Sequence, residues 1–566
     1  MRLPVTLPFL SGARHPTASA ASPKPTSPLT LAWLGALWLG LLCNWPLWQR
    51  LHQLPELASP QGKLFLAAFA VMVTALLGML LSLLAWRRCI KPVLLVLMLT
   101  AAPLAHFMGS YGIVMDGGML TNLLQTDVNE ARDLLGPRLL LSLLLLAGLP
   151  LIWMLGRPLT AAPFWRRAGL NLLAAALGLA LALLAASLTF GDLVSTMRSH
   201  KSLRYMVNPL NALYAVGHGL HAQTGSPPGP LQPLGEDARW LQRPGKPPLL
   251  LLVVGETARS ANFSLNGYAR PTNPLLARQS DLLSFRDVSA CGTSTAASLP
   301  CMFSPLGRDA FLAQKQPQEN LLDMLQRAGL AVLWLDNQAG CKEVCNRVPT
   351  LFAETAAPGA APLPEGLCRD GECLDGALLH GLDQRLAELD PARAAKGVVL
   401  VMHQMGSHGP AYYKRSPAEL KPFQPECRST ALQQCPREQV VNGYDNTIAY
   451  TDRVLSGAID WLRTRQHDYA PAMLYVSDHG ESLGENNVYL HGMPYAMAPH
   501  EQTHVPAILW LPPETAAAQG VKPGCLAGRL DQPLTHDLLA HTVMGYSGVT
   551  SKLYRPEWDL LQPCRG

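Results

Sequence analysis

The chain has 566 residues, is 49% hydrophobic and only 15% charged, and has a mean hydropathy of +0.13. That is too long for one ordinary domain and too apolar for a purely soluble protein, so the excess belongs in membrane spans. The net charge of +5 is small and spread out, and no Lys/Arg cluster is interleaved with aromatics, so the chain has no electrostatic footprint for nucleic acid.

Residues 1–28 are rich in Pro, Ser and Ala, carry Arg2, Arg14 and Lys24, and contain no acid. They predict a disordered cytoplasmic tail; the stretch PVTLPFL is too short and proline-broken for a signal peptide. Five apolar runs follow at about 29–48, 64–86, 92–111, 139–156 and 168–190, each near the ~20 residues that cross a bilayer. Arg87, Arg88 and Lys91 lie between the second and third, and Arg157, Arg166 and Arg167 between the fourth and fifth. The connection between the third and fourth carries Asp116, Asp127, Glu130 and Asp133 instead. By the positive-inside rule the basic tail and loops are cytoplasmic, and five spans place the rest of the chain on the far side. Residues 191–248 predict a bridging, partly amphipathic segment and then a proline-rich linker.

Ten of the twelve cysteines follow residue 290, mostly in tight pairs: Cys291/Cys301, Cys341/Cys345, Cys368/Cys373 and Cys427/Cys435, with Cys525 and Cys564 left over. Irregular spacing without repeated CxxC favours disulfides in an oxidising compartment over zinc knuckles. Cys43 and Cys89, in or beside the first two spans, are expected to be free thiols. Both signals suit a Gram-negative inner membrane with a periplasmic domain over 249–566.

In that region short continuous apolar runs alternate with helical stretches. The predicted strands are 249–255, 331–336, 397–403, 472–478 and 506–511, and the predicted helices 319–329, 375–389, 438–465 and 535–545. Strands buried on both faces and alternating with helices predict an α/β sandwich, whose function gathers at the carboxyl ends of the strands. There stand Glu256 in GETAR, Asp336, His403, His408 in GSHGP, Asp478, His479 and Glu481 in SDHGES, and His491 in YLHGMP. Oxygen and nitrogen donors without thiolate suit a catalytic Zn²⁺. Thr295, between Cys291 and Cys301 in CGTSTAASLPC, is either the hydroxyl that this cation activates or simply the cap of the helix TAASLPCM. The sequence leaves both readings open.

VGETAR, NGYARPTNP, CGTSTAASLPCMFS, CKEVCNRVP, GSHGP, GYDNTIAYTD and SDHGESLGENNVYLHGMPYAMAP together resemble the lipid A phosphoethanolamine transferases, a family that includes the mobile colistin-resistance enzymes. The resemblance spans nearly the whole chain. It implies an N-terminal five-helix transmembrane domain plus a C-terminal periplasmic α/β domain of the alkaline phosphatase/sulfatase-like fold. It implies one or more Zn²⁺ held by Glu256, Thr295, Asp478 and His479, with Thr295 the nucleophile. His408 and His491 then serve proton transfer or substrate contact, and Glu481 and Lys342 contact substrate. In the membrane part, MLTNLLQTDVNEA resembles the lipid-headgroup segment, giving Asn122, Thr126 and Glu130, whose spacing puts them on one helix face. The implied partners are phosphatidylethanolamine as donor, lipid A as acceptor and the inner-membrane lipids, with the protein a monomer. The implied outcome is lower surface negative charge and polymyxin resistance. Another acceptor (lipopolysaccharide core, glycan or protein) and an inactive lipid-headgroup receptor remain as alternatives. Ala269 stands where a charged residue is expected, and a Cys525–Cys564 pair is not carried by the resemblance.

Overall fold

The computed structural model describes residues 24–566 apart from 126–127, 225–228, 356, 358 and 370; most of the expected disordered tail lies outside these residues. Helices α3 (Pro60–Leu83), α4 (Ile90–Tyr111), α7 (Pro137–Leu155) and α8 (Phe164–Leu188) are each long and apolar enough to cross a membrane. The first expected span is a bent pair, α1 (Pro28–Leu42) and α2 (Trp45–His52), meeting at 43°. Pro46 at the start of α2 lacks the N–H that would continue the helix, which accounts for the break. Asn44 at the bend accepts from the Asn208 N–H at 2.8 Å and donates to the Leu39 carbonyl at 2.8 Å, so the freed backbone groups are met inside the bundle. Gly178 lets α8 approach α3 closely, since a Cβ there would lie 3.1 Å from the Ala75 carbonyl oxygen.

Two short helices, α5 (Gly117–Gln125) and α6 (Val128–Leu134), connect the third and fourth spans. The bridging segment forms α9 (Phe190–Ser199) and α10 (Leu210–Thr224).

The second half is built on an eight-stranded sheet. Its strands are β1 (Pro248–Gly255), β2 (Leu282–Ser289), β3 (Ala331–Asp336), β4 (Thr350–Phe352), β5 (Val398–His403), β6 (Ala470–Ser477), β7 (His504–Trp510) and β8 (Leu534–Thr535). The order is β8-β2-β7-β6-β1-β5-β3-β4, and only β7 runs against its neighbours. Alternation along β1 shows why the central strands read as continuous apolar runs. Leu250, Leu252 and Val254 enter the core on one face, under α11 (Thr295–Met302), α12 (Leu321–Arg327) and α14 (Leu538–Ser547). Leu249, Leu251 and Val253 enter the other, under the long α13 (Arg437–Thr464).

The cysteines pair as Cys291–Cys301, Cys341–Cys345, Cys368–Cys373, Cys427–Cys435 and Cys525–Cys564, while Cys43 and Cys89 are free. The left-over pair of the sequence thus forms a disulfide as well. Cys427–Cys435 closes the loop that leads into α13, with Cys427 buried and Cys435 only half-buried. Cys435 ends a 3-10 turn (Leu432–Gln434), and its N–H donates to the Leu432 carbonyl at 3.1 Å. The predicted helix over 375–389 is instead a 3-10 turn (Asp375–Leu379) and a short helix (Leu382–Ala387), because Gly381 between them takes φ 69°.

The two halves touch through the loop after β6. Val488 and Met493 are buried in the same apolar cluster as Leu39, Leu47 and Met98 of the membrane helices. Tyr111 at the end of α4 donates to the Thr430 carbonyl at 3.2 Å, and Asp133 on α6 pairs with Lys414 and Arg415. Thr430 lies inside the loop closed by Cys427 and Cys435, so that disulfide braces the contact between the halves.

Candidate metal and nucleophile site

β1 and β6 are adjacent and parallel, with Gly255 opposite Ser477, so the residues just beyond them arrive side by side. Glu256 follows β1, and Asp478 and His479 follow β6; all three are fully buried. One ligand atom from each lies within 4.8 Å of the others. Asp478 Oδ1 accepts the backbone N–H groups of His479 at 2.7 Å and Thr257 at 3.2 Å, which leaves Oδ2 facing the site with no partner. His479 Nδ1 donates to the Gly480 carbonyl at 2.9 Å, so Nε2 faces Glu256 and Asp478, 3.4 Å from each. Gly480 permits the tight turn here, since a Cβ would sit 2.0 Å from the Glu501 carbonyl oxygen.

Thr295 reaches this cluster from the opposite element. It is the first residue of α11, and Ser294 occupies the cap position. Its hydroxyl donates to Glu256, 3.0 Å from Oε2 and 3.2 Å from Oε1, and lies 3.4 Å from His479 Nε2. The capping alternative for Thr295 is therefore excluded. The loop between Cys291 and Cys301 is pinned at several points. Ser298 Oγ donates to the Asp478 carbonyl, the Cys291 N–H donates to His536 Nδ1 at 3.1 Å, and Thr293 Oγ1 donates to the Met493 carbonyl at 2.7 Å.

Burial opposes the charge on Glu256, but hydrogen bonding and charge from His479 hold its carboxyl well below the usual range. Burial and the Glu256 charge push Asp478 up to about 7. Burial lowers His479, yet Asp478 and Glu256 together raise it to about 10. Two carboxylates and one imidazole converge on one point, with an unpartnered carboxylate oxygen aimed inward. The donor set and the small space between the donors fit a divalent cation held by Glu256, Asp478, His479 and the Thr295 hydroxyl.

Comparison with known proteins gives the family of the chain. Residues 73–224 match the family described as phosphoethanolamine transferase EptA/EptB, and residues 248–549 match the sulfatase family. The phosphoethanolamine transferase EptA of Escherichia coli (strain K12) is 37% identical over 94% of this chain and 97% of that protein. The chain belongs to the phosphoethanolamine transferase family. The phosphatidylethanolamine transferase Mcr-1 of Escherichia coli is also 37% identical, over 93% of this chain and 96% of its own length. The full-length structure of the integral membrane protein lipooligosaccharide phosphoethanolamine transferase A from Neisseria meningitidis superimposes with a TM-score of 0.89 at 34% identity, covering 95% of this chain and 98% of that one. Membrane-spanning helices and a sulfatase-like soluble domain are thus common to both.

In this phosphoethanolamine transferase family member, His408 and His491 border the cluster. The ring centroids of His479 and His491 are 4.5 Å apart, and those of His408 and His491 5.5 Å. Both Glu481 oxygens are engaged: Oε1 accepts from the Tyr412 hydroxyl at 2.6 Å and Oε2 from His491 Nδ1 at 2.8 Å. Glu481 therefore orients His491, leaving its Nε2 toward the site. Lys342 lies in the loop closed by Cys341–Cys345, with φ 47°. Asn122 lines an apolar cavity of about 390 Å³ between α4, α5 and α10, which also touches His408 and His491. Glu130 falls on α6, and Thr126 lies outside the described residues.

The site also uses residues that the sequence did not single out. His536 is buried, and burial pushes it down to about 4, so it is neutral. It accepts from Cys291 at Nδ1 and donates from Nε2 to the Ser477 carbonyl at 2.9 Å, joining the Thr295 loop to the strand that carries Asp478. Tyr412 is the second. Their partners lie 59 to 245 residues away in the chain, so no local spacing reports them.

Proposed function

We propose that this protein transfers phosphoethanolamine from phosphatidylethanolamine to lipid A through a covalent adduct on Thr295, at a zinc site in the periplasm. The carrying observation is the Thr295 hydroxyl, hydrogen-bonded to Glu256 and facing His479 beside the open Asp478 oxygen. Zn²⁺ bound by Glu256, Asp478, His479 and Thr295 would lower the pKa of the hydroxyl and offset charge on the phosphoryl oxygens.

This chain's residues do the rest. Thr295 Oγ, its proton already directed at Glu256, forms a bond to phosphorus while the bond from phosphorus to the glycerol oxygen breaks. The departing diacylglycerol oxygen takes a proton from the imidazole pair His408 and His491, the latter held by Glu481. A lipid A phosphate oxygen then bonds to the same phosphorus, and the electron pair of the breaking bond returns to Thr295 Oγ, which regains a proton. Splitting one displacement into two in this way is covalent catalysis. The apolar cavity reaching from Phe107 and Leu123 to His408 suits the donor's acyl chains. Thr126, Glu130 and Lys342 remain proposed headgroup contacts. The product gains an ammonium, which lowers the negative charge that attracts polymyxin.

The test is expression of the wild type and Thr295→Ala in a polymyxin-susceptible host. Phosphoethanolamine-bearing lipid A and raised tolerance are expected with the wild type only. Unmodified lipid A alongside modified core sugar would move the assignment to another acceptor.

A further inference from the structure

A second, charged cavity of about 580 Å³ lies between α6 and the soluble domain, with Arg132, Arg369, Lys414 and Arg415 in its wall. It shares Glu372, Met405 and Arg415 with a smaller cavity of about 180 Å³ whose wall includes His408. The two make one trench leading from α6 to His408. Its volume is within the ~300–1,000 Å³ range of small-ligand sites.

Resting on the transfer reaction above, we infer that this trench seats the acceptor: a sugar headgroup with two phosphates, one attacking and the other docked on Arg132 and Arg369. Geometry places the acceptor on this side. In an in-line displacement the attacking and leaving oxygens stand opposite each other across phosphorus. Thr295 enters opposite the glycerol oxygen. In the return step the acceptor oxygen enters opposite Thr295, and therefore where the glycerol oxygen left, beside His408 and His491. The apolar cavity and the charged trench both end there. The apolar one suits acyl chains, which leaves the trench for an anionic headgroup.

The charge arrangement supports an anion. Asp133 is shared by Lys414 and Arg415, and Glu372 accepts from Arg415 Nη1 at 2.9 Å. Asp375 is met by Asn337 and by the N–H groups of Met405 and Gly406, at 2.8 to 2.9 Å. In the larger cavity the acids are thus engaged in holding the wall; in the smaller one Asp336 accepts from Trp334 Nε1 at 2.8 Å and from the Gln338 N–H at 2.7 Å, and Glu354 is exposed at its edge. Arg132 and Arg369 are exposed at the rim, and Lys414, half-exposed, keeps further N–H donors beyond its Asp133 bond. Arg415 Nε also donates to the His408 carbonyl at 3.1 Å, so the trench wall and the imidazole share one guanidinium.

The experiment uses full-length protein in phosphatidylethanolamine vesicles and reads two half-reactions. Loading is phosphoethanolamine on Thr295 without acceptor; discharge is its loss on adding bis-phosphorylated or mono-phosphorylated lipid A. The wild type is expected to discharge faster to the bis-phosphorylated form by roughly tenfold, the worth of one charge-assisted contact. Arg132→Gln/Arg369→Gln should bring that preference close to one while still loading. The single variants are measured as well, so a double variant that fails to load does not decide the matter. A preference unchanged in loaded variants overturns the trench assignment and leaves the transfer reaction standing. A wild type that never loads overturns both.

Discussion

Glu256, Asp478 and His479 come from the ends of two neighbouring strands, whereas the walls of the flanking cavities are assembled from membrane helices, loops and the sheet domain together. The first group is fully buried, and backbone hydrogen bonds orient Asp478 and His479. The second depends on a few inter-domain contacts, among them Tyr111 to Thr430, in the loop held by Cys427–Cys435, and Asp133 to Lys414 and Arg415. On the proposed reading, the chemistry belongs to the buried sheet edge and the seating of lipids to the contacts between the two halves.

Substitutions in the two groups should behave differently. Thr295→Ala is expected to cost transfer roughly 1,000-fold or more with little change in Tm, since it removes the attacking oxygen and little packing. Asp478→Asn should lower transfer by about 100-fold or more. Its thermal behaviour is the sharper reading: the metal-free protein should be as stable as wild type or more so, because a carboxylate repelled by Glu256 is gone. The added stability from zinc, about 2.7 kcal/mol at a hundredfold excess over Kd, should vanish in differential scanning fluorimetry. Glu481→Gln keeps a partner for Tyr412 but weakens the hold on His491, and should cost kcat about tenfold to a hundredfold. In the interface, Asp133→Asn should slow transfer only several-fold. It should also raise hydrogen exchange around 405–415, because a buried pair with Arg415 loses its charge; unchanged exchange would contradict the role given to that contact.

The smallest effect at neutral pH belongs to His536. Burial lowers it from 6.5 to about 4, so the unfolded chain binds a proton that the folded one refuses. Its contribution is complete above pH 6.5 and is lost as pH falls toward 4, about 3 kcal/mol in all. His536→Gln should flatten this acid loss in urea titrations and leave transfer at pH 7 nearly unchanged.

The sequence carried the central strands within a residue or two, because Leu249 to Val254 and Val398 to Met402 are apolar on both faces. It missed Leu282–Ser289, where Arg286 and Asp287 interrupt the apolar pattern, and the three-residue Thr350–Phe352. The convergence of Glu256, Asp478 and His479 was legible because strand ends collect function in such sheets. For Thr295 the residues alone left two readings, an activated hydroxyl or a helix cap, and only the placement of Ser294 at the cap position turns its hydroxyl to Glu256. Spacing paired Cys427 with Cys435, but their place beside the Tyr111 contact depends on a helix more than 300 residues earlier in the chain. The bend lies inside the first expected span, where Asn44 and Pro46 break the apolar run and Pro46 is its sequence signal.

The most direct measurement of the central claim is peptide mass spectrometry of the full-length protein incubated with phosphatidylethanolamine and no acceptor, with zinc or with chelator. The account expects phosphoethanolamine on the peptide containing Thr295 in the zinc sample, none after chelation, and none in Glu256→Gln. Lipid A modified at full rate by a protein that never carries the group on Thr295 would contradict it.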